Sequence, residues 1–203
     1  FANLTFPGYT RSETLTNFPL LVTLSTNIPG FSYAQFASAS GGDLRFGDVT
    51  GTTNLNFEIE QWNTNGASLV WVQVPRLTNG AGIRMFWGNA AATTPPVTAT
   101  NGATWTNGYV GVYHVNAATV KDSAASPQNA SANSATATNG IVGGGLQFNG
   151  TNQFTTIPHN AKFNLATNFE IQCWFKIATA DKPAVNDYRA LTSKQVDLNN
   201  RNW

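Results

Sequence analysis

Three kinds of residue are scarce in this chain of 203. There is one cysteine, Cys173, and there are two histidines, His114 and His159. A lone thiol closes no internal disulfide, and neither histidine has a Cys or His neighbour at metal-ligand spacing, so a zinc or iron–sulfur centre is excluded. Charge is thin as well. Only 10% of residues are charged, against about 25% in ordinary soluble domains, and 11 basic and 10 acidic residues leave a net charge of +1. Without a run of Lys or Arg to track phosphates, nucleic acid is not an expected partner. No apolar stretch approaches the ~20 residues of a membrane span, and no helical periodicity is sustained. Phe1 follows neither an initiator methionine nor a charged-then-apolar leader, so processing or trimming is expected to have made this N-terminus. Nucleophilic chemistry lacks its signatures. There is no Gly-x-Ser-x-Gly elbow, and Gly143-Gly144-Gly145 lacks the Lys-Ser/Thr ending of a phosphate loop, reading instead as a bend.

What the chain does have is 41% hydrophobic and 12% aromatic residues, arranged in short alternating segments punctuated by Asn, Gly, Thr and Pro. That is the period of half-buried strands and predicts an all-β fold. Expected strands are Leu20 to Ser25, Asp43 to Phe46, Leu55 to Trp62, Leu69 to Val74 and Ile83 to Trp87, the last three as a meander. In Leu55 to Trp62, the residues Leu55, Phe57 and Ile59 face one way, and Asn56, Glu58, Glu60 and Trp62 the other. Residues 93–105 are small and polar and include Pro95-Pro96, which predicts a semi-rigid spacer. Alternation resumes at Tyr109 to Asn116, Leu146 to Phe148, Gln153 to Ile157 and Phe169 to Ile177, with a long surface loop expected over Ala117 to Asn139.

The first segment resembles a bacterial domain of unknown function (DUF), family 2341. The resemblance is carried by Ser12-Glu13-Thr14-Leu15-Thr16-Asn17-Phe18-Pro19-Leu20-Leu21-Val22, Gly42-Asp43-Leu44-Arg45-Phe46, Phe57-Glu58-Ile59-Glu60-Gln61-Trp62, Leu69-Val70-Trp71-Val72-Gln73-Val74-Pro75 and Met85-Phe86-Trp87-Gly88-Asn89. The second segment resembles the N-terminal half of a laminin-G or concanavalin-A-like jelly roll, through Tyr109-Val110-Gly111-Val112-Tyr113-His114-Val115, Gly144-Gly145-Leu146-Gln147-Phe148-Asn149-Gly150-Thr151-Asn152 and Phe169-Glu170-Ile171-Gln172-Cys173-Trp174-Phe175-Lys176. The resemblance implies two jelly-roll-like β-sandwich domains in tandem, residues 1–92 and 106–203, the second incomplete at Trp203, in an extracellular or cell-surface protein. It implies a noncatalytic module for carbohydrate or protein contact. The alternatives are a subunit of an extracellular fibre, joined to other copies by strand complementation, and an accessory part of a polysaccharide-degrading enzyme.

Several side chains are candidates for chemistry. Glu58 and Glu60, about 7 Å apart by strand rise, invite comparison with a glycosidase pair, but a structural role with Arg45 or Arg84 as ion-pair partner is expected, and Asp43 fits the same network. Trp62 on the glutamates' face suits stacking on a sugar ring, and Tyr109 and Tyr113 suit lining a groove. Trp71, Trp87 and Trp174 read as packing residues and His114 as an inner, hydrogen-bonded histidine. Related jelly rolls often hold calcium with loop oxygens, which nominates Asp122, Asn149 and Asn152. Asn3, Asn129 and Asn149 match the glycosylation acceptor pattern.

Overall fold

Alternating apolar residues build two antiparallel sheets in the first ninety residues of the computed structural model, which describes residues 1–116, 119–165, 167–177, 190–197 and 200–201. One sheet comprises β1 (Ala2–Thr5), β3 (Arg45–Gly47), β4 (Asn54–Leu55) and β7 (Gly82–Phe86), in the order β1-β7-β3-β4. The other comprises β2 (Leu15–Leu24), β5 (Phe57–Gln61) and β6 (Ser68–Leu77), in the order β2-β6-β5. Their inward residues form a single cluster in which Leu24, Phe46, Phe57, Val70, Val72 and Met85 are all but inaccessible to solvent. Each such side chain contributes about 1.5–3 kcal/mol by leaving water, so this sandwich core is the main source of stability.

The expected meander forms only in part. β5 pairs with β6 as predicted, but the far edge of β6 is occupied by β2 over ten residues, so β7 crosses to the other sheet and pairs with β1 and β3. The β2–β6 ladder skips one pair. Pro75 has no N–H to offer, and Asn17 opposite it takes a left-handed conformation, φ 48°, which asparagine tolerates better than most residues.

Residues 93–105, expected as a semi-rigid spacer, are held by hydrogen bonds from the sandwich sheets. The Arg45 guanidinium donates to the carbonyls of Ala92 and Thr94, Asn56 Nδ2 to Ala103 O at 3.3 Å and Gln73 Nε2 to Thr104 O at 3.3 Å. Ala99, Thr104 and Trp105 are buried. Gly42 allows the close approach, because a Cβ there would lie 1.8 Å from the Thr93 carbonyl oxygen. Pro95-Pro96 keeps the backbone extended, but polar side chains of the sheets decide where it lies.

Residues 1–167 form one compact unit and 168–203 a second. Within the first, Tyr113 makes a single bridge with Asp122, β8 (Ala132–Asn133) pairs with β11 (Thr155–Thr156), and β9 (Thr136–Asn139) pairs with β10 (Gly144–Gln147). The predicted loop from 117 to 139 therefore contributes two short strands; Ala117 and Ala118 lie outside the described residues. In the second unit β12 (Gln195–Asp197) pairs with β13 (Asn200–Arg201). Among the described residues the predicted strand Phe169 to Ile177 joins no ladder, with Ile171, Phe175 and Ile177 exposed. Asn202 and Trp203, where the second sandwich was expected to break off, lie outside the described residues. The fold is all-β. Among the described residues the helical elements are three-residue 3-10 turns, and no helix is long and apolar enough to cross a membrane.

Candidate functional site

Glu58 and Glu60 stand two apart on β5, and Glu58 lies directly opposite Trp71 of β6. The chain after β7 brings Trp105, His114, Asn116 and Ser123 to these carboxylates. His114 Nδ1 sits 2.5 Å from Glu60 Oε2, and its Nε2 lies 3.5 Å from Glu58 Oε1, within ion-pair range but without hydrogen-bond alignment. Trp71 Nε1 donates to Glu60 Oε2 at 3.0 Å, Asn116 Nδ2 to Glu60 Oε1 at 3.0 Å and Ser123 Oγ to Glu58 Oε1 at 2.6 Å, while Trp105 Nε1 donates to Glu58 Oε2. All four carboxylate oxygens thus have a donor. Rings close the sides: the Trp105 centroid is 5.3 Å from Trp71 and 5.4 Å from His114.

Burial sets the electrostatics. The Glu60 side chain is 1% exposed, His114 13% and Glu58 19%, so an unpaired charge here would be costly. Burial alone would lower the His114 pKa, but its contacts with Glu58 and Glu60 outweigh that and raise it to about 9. Burial likewise pushes the Glu58 carboxyl up, and the nearby His114 imidazolium with the Ser123 and Trp105 donors prevails to hold it below the usual range. At neutral pH His114 is an imidazolium beside the Glu58 carboxylate. A cleft of about 350 Å³ abuts Glu58, with Pro95, Thr100, Lys121 and Ser123 among its lining residues.

A second polar cluster centres on Asp122. Its carboxylate accepts the backbone N–H groups of Val112, Ala124 and Gln128 and lies 2.7 Å from the Lys162 ammonium. Burial raises its pKa, but the Lys162 hydrogen bond and these three donors more than reverse the shift. The lysine occupies the position a cation would need. Asn149 and Asn152 bond each other at 2.8 Å in a separate turn, where Asn149 Oδ1 accepts the N–H groups of Thr151, Asn152 and Gln153. The residue set nominated for calcium is therefore not brought together by these contacts. Among the described residues no group of three or more His, Cys, Asp or Glu side chains is placed to hold a metal.

Other expectations are corrected by the geometry. The β5–β6 register shifts between Ile59 and Gln61, and a one-residue slip turns the following side chains to the opposite face. Trp62 consequently leaves the glutamates and packs against the core, 5.3 Å from Tyr33 and 5.0 Å from Phe36 between ring centroids, with its indole N–H on Ala39 O. The arginines do not pair with the glutamates: Arg45 donates to backbone carbonyls, Arg84 to Thr50 O, and Asp43 accepts from Ala37, Ser38 and Gly88. Tyr109 stacks edge-on to Trp105, and Tyr113 donates to Gln128 O, beside Asp122 rather than in a shared groove with Trp62. Of the glycosylation candidates, Asn3 is exposed on β1, Asn129 accepts the Asp122 N–H, and Asn149 caps its own turn.

Sequence reasoning missed Trp105, Asn116 and Ser123 as members of the cluster. For Trp105 a signal existed: it is the one aromatic residue of the small-residue stretch 93–105. No curated protein and no solved structure matches the chain. The jelly-roll reading of residues beyond 109 rests on sequence resemblance alone. A family model described as a domain of unknown function, DUF2341, matches residues 40–109, which hold both glutamates, Trp71 and Trp105 but not His114, Asn116 or Ser123.

Proposed function

We propose that this chain is a noncatalytic contact module of an extracellular or cell-surface protein, engaging carbohydrate or protein. The observation that supports this reading is the internal satisfaction of all four oxygens of Glu58 and Glu60. The two glutamates hold the chain after β7 on the sandwich through Trp105, Asn116 and Ser123. Contact then falls to exposed apolar side chains. In the first unit Phe148 and Phe154, 48% and 59% exposed, flank the Asn149 turn, and isolated aromatic faces of this kind suit sugar or protein surfaces. The resemblance to laminin-G and concanavalin-A-like jelly rolls supports the same class and setting.

The test is a glycan array and polysaccharide affinity electrophoresis with and without calcium, alongside an assay for new reducing ends. Binding that weakens in Phe148→Ala and Phe154→Ala, with no hydrolysis, is the expected result. Reducing ends released by the wild type but not by Glu58→Gln would overturn the noncatalytic reading.

A further inference from the structure

We propose that Lys162 and Asp122 condense to an intramolecular amide, a covalent cross-link that closes a loop over residues 122–162. The reactant state is the ion pair described above. Lys162 Nζ lies 2.7 Å from Asp122 Oδ2, and the two side chains are 18% and 0% exposed. Nζ also donates to Ser126 O at 2.7 Å and sits over the Phe163 ring, 4.9 Å from its centroid. The amine is thus fixed from three sides, within reach of the carbon to which Oδ2 is bonded. Positioning of this kind replaces an encounter in solution and is worth an effective concentration of about 10⁵ M or more in well-oriented cases.

The two oxygens of Asp122 are not equivalent. Oδ1 accepts the backbone N–H groups of Val112 at 2.9 Å and Ala124 at 3.0 Å, an arrangement that stabilises a developing oxyanion. Oδ2 accepts the ammonium and the Gln128 N–H. In the step, Nζ passes one proton to Oδ2, and its freed electron pair attacks Cγ while negative charge gathers on Oδ1 against the two N–H groups. A second Nζ proton goes to Oδ2, the Cγ–Oδ2 bond breaks, and that oxygen leaves as water. One C–N bond forms and one C–O bond breaks, with no oxidant, reductant or cofactor consumed. A neutral amide then stands in place of two largely buried charges, and the enclosure of Asp122 keeps water from reversing the step. The bond ties together a stretch that apolar packing does not hold. No described residue from 125 to 165 is buried, and with one cysteine no internal disulfide can close the same loop.

The experiment is intact mass spectrometry of the full chain under denaturing conditions, freshly purified and after prolonged incubation at neutral pH. It compares the wild type with Lys162→Arg and Asp122→Ala, each checked for folding by circular dichroism. The wild type is expected to be lighter than its sequence by one water. Trypsin is expected to leave residues 122–176 as one piece, because an acylated Lys162 is no longer cleaved. Both variants are expected at their full sequence mass. Lys162→Arg keeps a cation facing Asp122, so it separates the amide from the ion pair, and it also separates the amide from dehydration of Asp122 onto its own backbone. A wild type at full mass throughout the incubation overturns the proposal, as does the same loss of water in Lys162→Arg.

Discussion

Two stretches of the first unit are held together by different physics. Through Ala99 the chain rests on a shared apolar core, with Leu24, Leu44, Val70, Val72 and Met85 at 0% exposure, and Trp105, Val120 and Ala124 are buried after it. From 125 to 165 no described residue is buried, and the chain is held by short ladders and polar caps: Asn133 Oδ1 accepts from Thr155 Oγ1 and the Ala135 N–H, and Ser134 bonds Phe154 at both its hydroxyl and its backbone. Apolar burial scales with area and resists local opening, whereas exposed hydrogen bonds exchange readily with water. The first stretch is therefore expected to set global stability and the second to open locally. The cluster of Glu58, Glu60 and His114 falls on the core side of this divide, although its residues are polar, because burial makes their pairing obligatory.

Substitutions can widen or close that contrast. The largest loss is expected for Phe46→Ala, which empties a site 1% exposed and should cost about 3–5 kcal/mol in urea unfolding. Next comes His114→Gln, which leaves two carboxylates without their cation, at a cost on the order of 3 kcal/mol. The same residue fixes a pH signature. Its folded pKa is raised to about 9 from 6.5, so its stabilisation is complete below about pH 6.5 and is lost as pH rises through 9, a change on the order of 3 kcal/mol. Melting temperature plotted against pH should show this alkaline fall in the wild type, and a flat profile in His114→Gln over the same window. Were the wild type equally flat, His114 would not be held as an imidazolium.

Asp122→Asn should act more mildly, by about 1–3 kcal/mol, since the amide keeps a carbonyl acceptor but loses the charge facing Lys162. Hydrogen exchange should localise its effect to the N–H groups of Val112, Ala124 and Gln128. The smallest effect is expected for Phe154→Ala, within about 0.5 kcal/mol, because its ring is 59% exposed. A loss as large as that of Phe46→Ala would erase the distinction between the two stretches.

Much of the sandwich was legible beforehand. Leu55 and Phe57, predicted to face inward, are buried, and the strands around Leu20, Leu69 and Ile83 appear as β2, β6 and β7. Period-2 alternation is a local property and survives in any sheet arrangement. Trp62 was placed on the wrong face because the register shift before it depends on how β5 meets β6. The contacts of 93–105 were not legible for a related reason: small residues do not anchor themselves, and nothing in their order reveals that Arg45, Asn56 and Gln73 reach for carbonyls of residues 92–104. The alternation of Phe169 to Ile177 is as regular as that of β5, yet it forms no ladder among the described residues, since a strand requires a neighbour as well as a pattern.

The sequence by itself determined that the chain is all-β, that Leu55 and Phe57 share one face, and that zinc chemistry and nucleic-acid binding lack the residues they need. These follow from composition and from spacing between near neighbours. Only the tertiary structure decided that His114 stands between Glu58 and Glu60, that Asp122 is held by Lys162, and that Trp105 caps the pair. Those contacts join residues about forty to sixty positions apart, and their energies depend on burial that only the packed chain creates.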